Sequence, residues 1–320
     1  MKKSMMTMLC IMVSISIIGC SEQRFTKNEE KAFMADYMAL VTKPSEPDVL
    51  EKKMEGNLER LSKEEASNAV DGMLYAMYQK LPTLNKKADG MQDVISEQVE
   101  KKIDINKIED VKKIEDPTLK AFVNEVLEDH FFFIRDNGRF AVQPNMSYML
   151  EKYEPFMTDS LKAIVSFSKE EYENPFFNDK DQRFDLDKVA SRILLLEDYL
   201  KKYATTYYNE SFVKSKEYYY QIYFGLNNEL LVDSKKVLLK ETIDHYKKIV
   251  EEHPDSQLAK DLTAYLERLK DTNNTMTDDI QVFLTDLSNI QTIDVNNDSH
   301  SNTKEQISDI GKDVIQQENK

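Results

Sequence analysis

Leu196-Glu-Asp-Tyr-Leu-Lys-Lys-Tyr-Ala-Thr-Thr206 can be laid over Tyr246-Lys-Lys-Ile-Val-Glu-Glu-His-Pro-Asp-Ser256 at an offset of 50 residues. Apolar residues coincide at Leu196/Tyr246, Tyr199/Ile249 and Leu200/Val250. Each copy reads as the end of one helix, a turn, and the start of the next. A chain built on this unit consists of stacked helical hairpins, and these need no glycine-rich turns.

The composition agrees. The 320 residues hold 41% hydrophobic residues, enough for a sizeable core, but only 7 Gly, 8 Pro, 2 Cys and no Trp. Glycine is far below its usual ~7%, which excludes a domain made of many tight β-turns. The glycines are also too dispersed for a P-loop or a dinucleotide-binding turn. A formal net charge of −15 argues against a nucleic-acid surface.

Helix signals follow one another outward from the echo. Thr26-x-x-Glu29 and Ser62-x-x-Glu65 are capping boxes. Phe33, Tyr37, Leu40 and Val41 follow the first; Ala66, Val70, Met73, Leu74, Met77 and Leu81 follow the second, and Pro82 is expected to stop that helix. Between them Leu50, Met54, Leu58 and Leu61 recur at helical spacing. Asp116-Pro117 is an N-cap followed by Pro at N1, opening a helix through Phe122, Val126, Leu127, Phe131 and Ile134 that Asn137-Gly138 is expected to close. Arg139 to Pro144 reads as an extended connector between two halves. Beyond it, helices are expected over about 155–167, from the Asp185 cap through Leu200, and over about 210–224, 237–252, 255–269 and 279–287. The expected fold class is all-α. It has an N-terminal helical subdomain (26–138), a C-terminal subdomain of stacked helical hairpins (139–287) and a disordered polar tail (288–320).

Residues 1–19 read as a signal peptide, with Lys2 and Lys3 before an apolar run from Met5 to Ile18. The run ends in Ile17-Ile18-Gly19-Cys20, which resembles the lipobox of bacterial lipoproteins. The resemblance implies cleavage after Gly19 and lipidation (palmitate-type acyl chains) of Cys20. The competing reading is an uncleaved signal anchor with an incidental Cys. Cleavage would leave a chain without a thiol, a tether over 20–25, and a net charge of −17 once Lys2 and Lys3 are gone. Such a surface is repelled by anionic headgroups, so lipid would supply the attachment. The expected location is the extracytoplasmic face of the cell membrane. Glu241 to Tyr265 also resembles a tetratricopeptide-type helical hairpin, with Tyr246, Ile249 and Pro254 at its aromatic, apolar and helix-ending positions.

Few residues announce chemistry. His130, His245, His253 and His300 form no zinc spacing. No nucleophile motif is present, and no catalytic residue is named. Tyr203, Tyr207, Tyr208, Tyr218, Tyr219, Tyr220, Tyr223 and Phe224 crowd 22 residues. They read either as helix packing or as a partner-binding groove built from Tyr207, Tyr208, Tyr218, Tyr219, Tyr220 and Tyr223. Asp294, Asn296, Asp298 and Glu305 resemble the ligand pattern of an EF-hand calcium loop, with Ser299 in place of its turn glycine. Otherwise no metal, cofactor or nucleotide is expected. The function expected is a membrane-anchored binding or scaffold module for a protein, peptide or cell-wall partner. Two alternatives stand beside it: an envelope hydrolase using a carboxylate pair, or an accessory or immunity lipoprotein of a transport or mobile-element system.

Overall fold

The computed structural model describes residues 24–43, 47–136, 138–178, 182–206, 208–226 and 229–296. Among them are thirteen α-helices and two antiparallel hairpins, so the fold is all-α. No helix among the described residues is long and apolar enough to cross a membrane.

Two buried clusters organise the molecule. The first gathers α1 (Lys27–Val41), α2 (Pro47–Met54), α3 (Lys63–Asp89), α4 (Gln92–Glu100), α5 (Ile108–Val111), α6 (Pro117–Glu128), the hairpin of β1 (Phe131–Asp136) and β2 (Arg139–Pro144), and α7 (Met146–Tyr153). Thr26 and Glu29 bond reciprocally as a capping box, and Asp116 accepts from Leu119 N–H; of the second expected box only half forms, since Ser62 accepts from Glu65 N–H but its own N–H donates to the Glu30 carboxylate instead of Glu65. Tyr37 is sealed between α1 and α3, its hydroxyl donating to the Ala69 carbonyl at 2.8 Å. Gly72 allows that approach, because a Cβ there would sit 3.1 Å from both the Tyr37 ring and Val41. Gly72→Val is therefore expected to cost about 1–3 kcal/mol through overpacking. Gly90→Ala, whose nearest neighbours lie at 3.5 Å, is the neutral control in the same thermal melt.

The second cluster is built on α9 (Leu186–Lys202), α10 (Asn209–Tyr223), α11 (Lys240–Glu252), α12 (Gln257–Asp271) and α13 (Asp278–Asn296). Between the clusters stands α8 (Asp159–Glu173). Its Leu161 and Val165 face the first core, and its Ala163 and Phe167 the second. Each pair is four residues apart, and the pairs are offset by two, which places them on opposite faces of one helix. The offset-50 echo is visible as hydrogen bonds. Tyr203 N–H donates to Tyr199 O at 2.8 Å, and His253 N–H to Ile249 O at 2.9 Å. Thr206 and Ser256 then each donate, through N–H and hydroxyl, to the Tyr203 and His253 carbonyls.

Several expectations are corrected. The Asp116-capped helix ends at Glu128, and Phe131 to Ile134 form strand β1 instead of its last turn. Asn-Gly is the preferred centre of a two-residue hairpin turn, and Gly138 takes φ +78° there. The connector expected over 139–144 is the paired strand β2, and the changeover between cores falls in α8. Pro82 lies inside α3 and does not end it. The turns beyond it bury Leu84 and Ala88 and carry Asn85 to β2, offsetting the lost hydrogen bond. The stretch between the helices expected over 155–167 and from the Asp185 cap holds a second small hairpin, β3 (Phe177–Asn178) with β4 (Arg183–Phe184). The last helix continues past Leu287 to Asn296, beyond the expected start of the tail.

The outer edge of β2 is covered by side-chain amides. Asn85 bonds both N–H and C=O of Val142 (2.7 and 3.3 Å), and Gln92 bonds both of Phe140 (2.8 and 2.7 Å). Each amide stands in for a neighbouring strand. Asn85→Leu leaves two backbone groups without partners and is expected to cost about 1–3 kcal/mol in urea unfolding.

Candidate functional site

The tyrosine cluster divides sharply. Tyr219, Tyr220 and Tyr223 are sealed in the second core and cannot line a groove for a partner. Their spacing on α10, with Phe212 and Lys216 on the same side, turns Tyr219 toward α8, Tyr220 toward α9 and α12, and Tyr223 toward α11. Tyr218, the residue a helix turns away from that side, is 52% exposed. Tyr208 is half-buried against both cores, and Tyr207 lies outside the described residues. Phe131 and Phe133 are likewise core, with Phe132 half-buried against Tyr172.

A groove of about 500 Å³ is lined by Arg192 with Asn174, Lys188 and Tyr199, and by the carboxylates of Glu170, Asp185 and Asp187. Its walls come from α8, the segment leading into β3, and one face of α9 from Asp187 to Tyr199. The Asp185 side chain caps α9 by accepting from Lys188 N–H at 3.2 Å, fixing the helix that carries Arg192. Arg192 is only 2% exposed. One Nη2 donates to the carbonyls of Asn174 (2.7 Å) and Glu170 (3.0 Å), and Nε forms an ion pair with Glu171 at 2.5 Å rather than a directed hydrogen bond. Nη1 is buried with no hydrogen-bond partner among the described residues. Burial pushes the Glu171 carboxyl up, against the opposing pull of its bonds to Tyr219 and Arg192. The guanidinium also faces the Phe176 ring at 5.2 Å, and Phe176 in turn meets Tyr218 edge-on at 6.4 Å. A buried donor without an acceptor costs about 1–3 kcal/mol. The groove thus has in its wall a residue with a buried, unmet donor, and Tyr199 as its aromatic lining, while Phe176 and Tyr218 lie beyond the guanidinium. That combination suits a segment bringing a carbonyl or hydroxyl oxygen together with an apolar or sugar face.

Two further polar clusters tie elements together. Glu51 on α2 accepts from His130 Nε2 at 2.8 Å and from the Tyr148 hydroxyl and Lys152 on α7. The His130 and Tyr148 rings stack with centroids 3.6 Å apart. Burial pushes the Glu51 carboxyl up, but its bonds to Lys152, Tyr148 and His130 prevail and hold it at about 2. A depressed carboxylate contributes stability that is complete above its unfolded value near 4.5 and lost as pH falls toward 2. Thermal melts from pH 5 down to 2 are expected to show that loss, with a shallower slope in Glu51→Gln.

The second cluster does contain a carboxylate pair, Glu197 and Asp261, both buried and both accepting from the Tyr220 hydroxyl (3.4 and 2.9 Å). Burial holds the Asp261 carboxyl above its usual range and pushes the Lys216 ammonium down. Glu197 also accepts from the N–H groups of Gln257 and Leu258 (3.0 and 2.8 Å), the first residues of α12. The pair is occupied with joining helices and lies apart from the groove.

Of the histidines, His245 accepts or donates a 2.8 Å bond with Tyr223, and burial pushes its imidazole down. His253 ends α11 at the surface, and His300 lies outside the described residues. No group of three or more potential metal ligands occurs among the described residues. The backbone at Asp294 and Asn296 is helical, whereas Asp298 and Glu305, like Cys20 and the whole lipobox, lie outside the described residues. Arg192 escaped the sequence reading although a signal existed: it stands three residues after Val189 and four before Leu196, inside the apolar stripe of α9. No family model, no curated protein and no solved structure matches the chain.

Proposed function

We propose that this chain is a lipid-anchored, extracytoplasmic binding module. Cys20 holds it at the membrane, and the groove at Arg192 docks a protein, peptide or cell-wall segment. The observation that carries the binding half is Arg192 itself: it lines the groove, its buried Nη1 has no acceptor among the described residues, and Phe176 links its guanidinium to the exposed Tyr218. The anchor half is supported by Ile17-Ile18-Gly19-Cys20 behind a short apolar run. From Cys20 to Phe25, whose N–H donates to the Arg60 carbonyl at 2.8 Å, the chain spans at most about 17 Å. In this reading the first core sits next to the bilayer. The carboxylate pair does not favour the hydrolase alternative, since it is buried under Tyr220 and caps α12.

Each half has its own test. Metabolic labelling with a clickable fatty acid is expected to mark the wild type and not Cys20→Ala; an unlabelled wild type, or a labelled Cys20→Ala, removes the anchor. Pull-down from envelope extracts is expected to lose its specific partners in Tyr218→Ala with Lys188→Glu, both exposed or half-buried positions that leave the core intact. Unchanged capture by that variant removes the groove.

A further inference from the structure

The first hairpin carries a second, independent surface. The amides of Phe140 and Val142 turn outward to Gln92 and Asn85. Antiparallel alternation then turns those of their cross-strand partners, Arg135 and Phe133, outward on the β1 edge. Phe133 is answered there by Asn106, which accepts from its N–H at 2.7 Å and donates to its C=O at 2.8 Å. Asn106 thus reproduces, with one side chain, the bonds of a third strand. The next outward position, Arg135, has no such partner among the described residues: its N–H and C=O stand at the edge of a groove of about 470 Å³ lined by Val99, Ile103, Ile105 and Ile134.

The charge around this edge is selective. Lys102 and Arg135 both line the groove, and neither has an ion-pair partner among the described residues. The single acid in the lining, Asp104, is engaged by Lys107 at 3.3 Å and by Asn106 N–H at 3.0 Å. Two uncompensated cations stand out on a chain of formal net charge −15. Backbone groups at a sheet edge recruit an extended chain, and flanking pockets and charges choose it.

We infer that the β1 edge binds an extended, acidic peptide segment of another protein by strand addition. The segment continues the row of hydrogen bonds that Asn106 begins, lays apolar side chains on Val99, Ile103 and Ile105, and sets carboxylates against Lys102 and Arg135. This surface does not depend on the Arg192 groove or on the lipid anchor.

The test uses the full chain and a fluorescent, end-blocked octapeptide of alternating Glu and Val. Anisotropy is expected to show saturable binding that Lys102→Glu with Arg135→Glu weakens at least about tenfold. Methylating the alternate peptide nitrogens that face the edge should weaken it by a similar factor, because strand addition needs their N–H groups. Hydrogen exchange at the Arg135 amide should slow when the peptide is bound. No saturation at millimolar peptide overturns the inference. Equal binding of the N-methylated peptide overturns it too, since attraction would then be charge alone. An unprotected Arg135 amide, or a chain dimer that Arg135→Glu dissolves, also counts against it, the latter because the edge would then belong to a second copy.

Discussion

Glu197→Ala is expected to remove about 3–5 kcal/mol of stability from the second core. The carboxylate is buried, and four donors depend on it: Gln257 and Leu258 N–H at the start of α12, the Tyr220 hydroxyl, and the Lys216 ammonium 3.7 Å away. Truncation leaves a buried cation facing the raised Asp261 carboxyl and leaves the Gln257 and Leu258 N–H groups of α12 without their acceptor, with only the Ser256 cap on Ala259 N–H remaining. Glu197→Gln keeps the shape and one acceptor oxygen, so its loss should be smaller. Urea unfolding followed by the near-ultraviolet dichroism of the tyrosines reads both. A loss below about 1 kcal/mol in Glu197→Ala would mean that the network is ornamental, since isolated surface pairs are worth no more than that.

Tyr246→Ala is expected to cost a similar 3–5 kcal/mol, the range for deleting a buried aromatic ring. Tyr246 is fully enclosed, its ring lies 5.1 Å from Tyr223 and 6.0 Å from Tyr265, and its hydroxyl donates to the Tyr223 carbonyl. The substitution removes a ring and leaves that carbonyl without its donor. Tyr218→Ala, one exposed residue along the same tyrosine run, should change stability by no more than about 0.5 kcal/mol. Comparable losses in the two variants would contradict the division of the cluster into core and surface.

Local rules located most helices because local chemistry starts and stops them. Thr26, Ser62, Asp116 and Asp185 all cap helices through the side chains their positions suggest. What stayed hidden was set by distant partners. Phe131 to Ile134 fit a helical stripe as well as a strand, and only pairing with 139–144 and the bonds from Asn85, Gln92 and Asn106 decide for the strand. Pro82 would end an isolated helix, yet packing of the turns beyond it carries α3 on to Asp89. The charged interior had a legible trace. Arg192, Glu197, Lys216 and Asp261 all stand three or four residues from buried apolar neighbours on their own helices. A charge at a core-facing position needs a partner, though the identity of that partner is a matter of tertiary structure. The groove beside Arg192 depends on the approach of α8 and the second hairpin, which no spacing in one segment records.

The central claim is that the binding face is the Arg192 groove with the Phe176 and Tyr218 rings beyond its guanidinium, the rest of the tyrosine cluster serving as core. Photo-cross-linking in intact cells tests it most directly, with a photoreactive phenylalanine placed at Tyr218 or at Val49, which is exposed on the first core. The groove account predicts discrete adducts from position 218, absent at position 49 and lost when Lys188→Glu is added. Adducts at both positions alike, or at neither, would contradict it.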